Sequence, residues 1–118
     1  MNTFEFSKYL KKLLVMSVML APLPAFCAAT GTISVLLIQS NSPDRLFVSY
    51  TGTDPNQATC GVNGSKILDT STSTGKGMYA LLLSAHLTGA SVTLYGTGAC
   101  DLWPAPNGVE TLRAVVLN

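Results

Sequence analysis

Gly75-Lys76-Gly77 stands ahead of a helix-patterned run that reaches His86, the single histidine of the chain. A lysine between glycines before a helix can hold an anion on backbone N–H groups. The ATPase phosphate loop needs more than this. It requires a Gly where Thr70 stands and a Ser or Thr where Gly77 stands. The stretch therefore reads as a flexible entry to a capped helix. His86 has no second histidine or cysteine cluster to complete a metal site of three or four ligands. As a general base it would need a nucleophile beside it. Ser84, two residues away on a helix, points to another side, and no Gly-x-Ser-x-Gly elbow occurs. His86 reads as a hydrogen-bonded flank of the helix. A glycosidase would need two carboxyls roughly 5–10 Å apart across a cleft. Asp44, Asp54, Asp69 and Asp101 mostly occupy turn-like stretches, and Glu110 should face Arg113 or a cross-strand partner. No catalytic, metal-binding or cofactor-binding residue is assigned, and the expectation is a protein that is not an enzyme.

Recognition is better served by Trp103, in Cys100-Asp101-Leu102-Trp103-Pro104. An aromatic on a constrained loop offers a flat surface to a sugar ring or a protein, and Asp101 could accept hydrogen bonds from sugar hydroxyls. The alternative is that Trp103 folds back and covers the open mouth of the fold.

The N-terminal residues read as an export signal. Lys8, Lys11 and Lys12 precede the apolar run at 13–21, Pro22 and Pro24 break it, and small residues follow at Ala25, Cys27, Ala28 and Ala29. The run falls short of the about 20 residues that span a bilayer. Cleavage after Ala29 divides the chain into a signal at 1–29 and one small domain at 30–118. Cleavage after Cys27 is the alternative, and a lipid anchor on Cys27 a third reading. The location is then secreted or periplasmic. From Thr30 onward Arg45, Lys66, Lys76 and Arg113 oppose five carboxylates, a net charge of −1. So charge-poor a surface argues against nucleic acid, whose phosphates supply most of the affinity. Cys60 and Cys100 remain as an even pair in an oxidising compartment and read as one disulfide.

The elements that must position these residues follow from periodicity. Residues 31–39 (GTISVLLIQ) form a strand with Ile33, Val35 and Leu37 on one face and Leu36 and Ile38 on the other, apolar on both. A turn at 40–44, centred on Pro43-Asp44, leads to a second strand at 45–51, with Leu46, Val48 and Tyr50 on one face. A loop at 52–65 carries Cys60, with Asn63-Gly64-Ser65 as a turn, before a short strand at 66–69. Met78, Leu81, Leu82 and Ala85 make one face of a helix that Ser73 or Thr74 caps and Gly89 ends. Strands at 91–95, with Val92 and Leu94 inward, and at 109–117 flank the Trp103 loop. The order β-β-β-α-β-β fits an OB-fold, a five-stranded Greek-key barrel, mainly β with one helix. Tyr79, Leu83 and Leu87 form a second helical stripe at i, i+4 and i+8. That stripe either meets a second copy of the chain or lies under the 52–65 loop.

The export signal, this strand order, one disulfide, and the runs Gly-Lys-Gly-Met-Tyr-Ala-Leu-Leu-Leu-Ser-Ala and Val-Thr-Leu-Tyr-Gly-Thr-Gly-Ala-Cys together resemble small secreted bacterial proteins of the AB5 toxin B-subunit type, the subtilase-cytotoxin B-like group in particular. The resemblance covers nearly all of the chain after the signal. It rests on topology and the helix–strand pattern, and it carries no glycan-contact residue over. It implies a non-enzymatic pentamer that binds host glycans, with helices lining a central pore. The expectation is an exported binding module for a glycan or protein surface, built as a homo-oligomer. The alternatives are a monomeric periplasmic inhibitor or accessory protein acting on a protein partner, and a small hydrolase.

Overall fold

The computed structural model describes residues 28–118. The basic, apolar and small-residue parts of the expected signal, through Cys27, lie outside the described residues. Five strands and one helix follow in chain order: β1 (Ala28–Gln39), β2 (Ser42–Thr53), β3 (Gly61–Asp69), α1 (Ser73–Thr88), β4 (Ser91–Gly96) and β5 (Gly108–Leu117). The strands close into a barrel in the order β1-β2-β3-β5-β4, with β4 returning to β1. Every pairing is antiparallel except β3 with β5. This is the OB-type Greek-key barrel expected from the element order.

Alternation builds the interior. Leu46, Val48 and Tyr50 of β2, Val92 and Leu94 of β4, Leu68 of β3 and Leu112 of β5 all point inward and are buried. Leu82 and Ala85 of α1 join the same core. The helix packs on β1, β5 and β3 and closes the barrel end where β3 stops and β4 starts.

β1 departs from its expected form in two ways. It starts at Ala28 rather than at residue 31, since Ala28 and Ala29 pair with Tyr95 and Leu94 of β4, and Ala29 is fully buried. A bulge between Ile33 and Val35 then shifts the phase. Ile33 and Leu36 reach the core, whereas Val35, Leu37 and Ile38 are all exposed. The expected shared face of Ile33, Val35 and Leu37 is therefore wrong. One extra residue in a bulge turns the following side chains to the other face.

Other boundaries also move. Gln39 pairs with Ser42, so the β1–β2 turn is Ser40-Asn41 rather than Pro43-Asp44, which lie inside β2. β3 begins at Gly61, five residues before the expected strand, and contains Asn63-Gly64-Ser65, which is not a separate turn. Gly64 there has φ 77°, and the pairing of β3 with β5 is irregular between Gly61 and Lys66. The N-cap of α1 is Thr72, not Ser73 or Thr74: its Oγ1 accepts the Gly75 N–H at 2.9 Å. Gly89 ends the helix as expected, with φ 69°. Of the expected inward stripe, Leu82 and Ala85 are buried and Met78 packs at the core's edge, but Leu81 is 39% exposed.

Cys60 and Cys100 form the disulfide, with Cα atoms 6.1 Å apart. It ties the start of β3 to the loop between β4 and β5.

Candidate functional site

The three places that could carry function lie on different parts of the barrel. They are the loop after the disulfide, the outward face of α1, and a charged cluster inside the barrel.

The loop at 101–107 folds back on the outer wall. The Val109 N–H donates to the Trp103 carbonyl and the Thr111 N–H to the Ala99 carbonyl, so the loop runs alongside the start of β5. Phe47 alternates with the core residues Leu46 and Val48 and so faces outward. The Trp103 ring meets it edge-on, with centroids 5.1 Å apart and planes at 81°. Ile67, the register partner of Phe47 on β3, is fully buried on this outer side. Trp103 is thus half-buried over an outer apolar layer. Asp101, two residues earlier, is exposed.

On α1, Tyr79 leaves the expected second stripe. It is partly buried against the core. Leu83 and Leu87 stay outside, at 38% and 76% exposure. Ala80 and Ser84 beside them are exposed too, and Lys76 is the only Lys, Arg, Asp or Glu in the helix.

The Gly75-Lys76-Gly77 stretch sits within the first turns of α1 rather than before it. A Cβ on Gly75 would strike the Asp69 backbone carbonyl, so glycine lets the helix start abut the end of β3. Lys76 and Gly77 face solvent. His86 Nδ1 lies 3.1 Å from the Ile33 carbonyl, which pins the helix to β1.

A charged cluster that local sequence patterns do not announce lies toward the other end of the barrel. Lys66 Nζ is bonded to Glu110 Oε1 and lies 2.7 Å from Asp54 Oδ2. Lys66 and Glu110 are both 0% exposed. They are register partners on the parallel strands β3 and β5. The Tyr50 hydroxyl donates to Asp54 Oδ2 at 2.8 Å, and the Gly98 N–H donates to Glu110 Oε2 at 2.9 Å. A Cβ on Gly96 would overlap the Glu110 carboxyl, so that glycine makes room for the buried charge. Burial pushes the Tyr50 phenol well above its usual range, and the hydrogen bond to Asp54 adds to this. Burial also opposes ionisation of Asp54, but hydrogen bonds from Lys66 and Tyr50 outweigh it and hold that carboxyl below its usual range. The signal in the sequence was phase. Lys66 alternates with inward Leu68, and Glu110 with inward Leu112, so both charges fall on core-facing positions.

Among the described residues no three His, Cys, Asp or Glu side chains converge as a metal-ligand set, and no helix is long and apolar enough to cross a membrane. Comparison of the chain with protein-family models, with curated proteins and with solved structures finds no match.

Proposed function

We propose that the protein is an exported, non-enzymatic binding module that self-associates through the outward face of α1. The observation that carries this reading is the pair Leu83 and Leu87, left in water on a helix with almost no charge. Solvent-facing helix surfaces are ordinarily charged or polar. Apolar surface gains about 25 cal/mol for each Å² removed from water, so a second helix is a favourable cover. Each copy then presents its stapled loop, with Asp101 exposed and Trp103 set in the wall, to a glycan or protein surface. Several weak copies of one site add up through avidity. The AB5-type resemblance points the same way.

Leu83→Glu with Leu87→Glu places two carboxylates on that face and touches no core residue. The double variant should sediment as a folded monomer, with unchanged far-UV circular dichroism, where the wild type sediments as an oligomer. Equal sedimentation of the two proteins removes the reading. A monomeric wild type favours the second reading, an inhibitor or accessory protein that engages one partner with the exposed part of the 101–107 loop.

Export has a consequence at β1. Processing after Ala29 would remove the buried Ala29 and two pairs of the β1–β4 ladder, whereas processing after Cys27 leaves β1 whole. N-terminal sequencing of the exported protein should begin at Ala28. A start at Thr30 contradicts this placement.

A further inference from the structure

The charged cluster inside the barrel holds one lysine and two carboxylates, and Lys66 and Glu110 are fully buried. Ionised groups are expensive in such a place. Moving a proton from the Lys66 ammonium to the Glu110 carboxylate discharges both. It leaves a neutral amine against a neutral carboxylic acid, a nucleophile in contact with its electrophile. Groups held in this way react with effective molarities of about 10⁵ M or more when their geometry is right.

We propose that Lys66 and Glu110 condense into an amide, a covalent cross-link between β3 and β5. Lys66 Nζ adds to Cδ of Glu110. The Gly98 N–H, 2.9 Å from Oε2, stabilises the oxygen on which negative charge develops. Asp54 takes the proton released by Nζ and returns it to the departing oxygen, Oε1, which leaves as water. Its Oδ2 lies 2.7 Å from Nζ. Overall, one ammonium and one carboxylate become one amide and one water, with no oxidant or reductant and no change in net charge. Burial then shields the bond from bulk solvent. Asp54 is the relay rather than the acyl donor, because its hydrogen bonds from Tyr50 and Lys66 favour the ionised, poorly electrophilic form. The product spans the barrel's one parallel pairing, whose register is irregular between Gly61 and Lys66.

Intact-mass spectrometry on the denatured full chain tests this without a variant. The expected mass is short of the sequence mass, for the N-terminus observed, by one water beyond the two hydrogens lost to the disulfide. Trypsin should fail to cut after Lys66, and fragmentation should show a branched peptide joining Lys66 to Glu110. A mass that lacks only the disulfide hydrogens, with normal cleavage after Lys66, overturns the proposal, as does a cross-link from Lys66 to Asp54. Asp54→Ala keeps both reacting groups and should yield folded protein that carries the missing water. Cross-linking of that variant as fast and as complete as in the wild type overturns the mechanism.

Discussion

Lys66→Met should destabilise the fold by about 3–5 kcal/mol, the usual cost of breaking a buried charge pair from one side. It leaves Glu110 and Asp54 in the interior without their cation. It also severs the side-chain link between β3 and β5. Much of the loss comes from stranding the carboxylates rather than from the attraction itself. Lys66→Met combined with Glu110→Gln should therefore be more stable than Lys66→Met alone, since the glutamine is neutral and can still accept from the Gly98 N–H. Urea denaturation of the three proteins measures both effects. Equal midpoints for Lys66→Met and the wild type would show that the cluster contributes little.

Loss of the disulfide should come next. Cys60 and Cys100 are 40 positions apart, and a closed loop of that length is worth about 4 kcal/mol on the chain-entropy model. The local geometry adds to this. Gly108 packs so closely on the Cys60 carbonyl and the Cys100 sulfur that a Cβ would not fit there. The bridge therefore sets where β5 begins as well as where the Trp103 loop lies. Cys60→Ala with Cys100→Ala should lower the thermal midpoint by about 15 °C or more, at roughly 4–8 °C per kcal/mol for a domain of this size. Reducing agent should lower the wild-type midpoint by a similar amount and leave the variant unchanged. A wild type insensitive to reductant contradicts the account of the loop.

Much of the architecture was legible because strand alternation and helix termini are local signals. Leu46, Val48 and Tyr50, and Val92 with Leu94, occupy the faces that their spacing predicts, and Gly89 ends α1 where a glycine should. The largest departures arose where a long-range contact overruled a local pattern. The bulge after Ile33 reversed the faces of β1, and no residue type marks it. Gly61, Asn63 and Gly64 read as loop because they form strands poorly alone, yet pairing recruits them into β3. Tyr79 turned from the solvent stripe to the core, and Leu81 from the core to solvent, exchanging their expected roles.

The candidate site residues were legible in unequal measure. The disulfide followed from counting cysteines, and the apolar outer face of α1 from helical spacing. The cluster of Tyr50, Asp54, Lys66 and Glu110 was not found, because its members are spread along the chain and are united only by barrel closure. A lysine and a glutamate on inward-facing positions were the available warning. Trp103 drew attention as an aromatic on a stapled loop, but its contact with Phe47 across the wall needed the fold.

The central claim is that Leu83 and Leu87 mark a surface shared between copies of this chain. Native mass spectrometry of the wild-type protein at near-physiological salt tests it most directly. The expected result is a single closed oligomer, with the five-fold assembly implied by the AB5-type resemblance as the expected stoichiometry. A monomer across the accessible concentration range would contradict it.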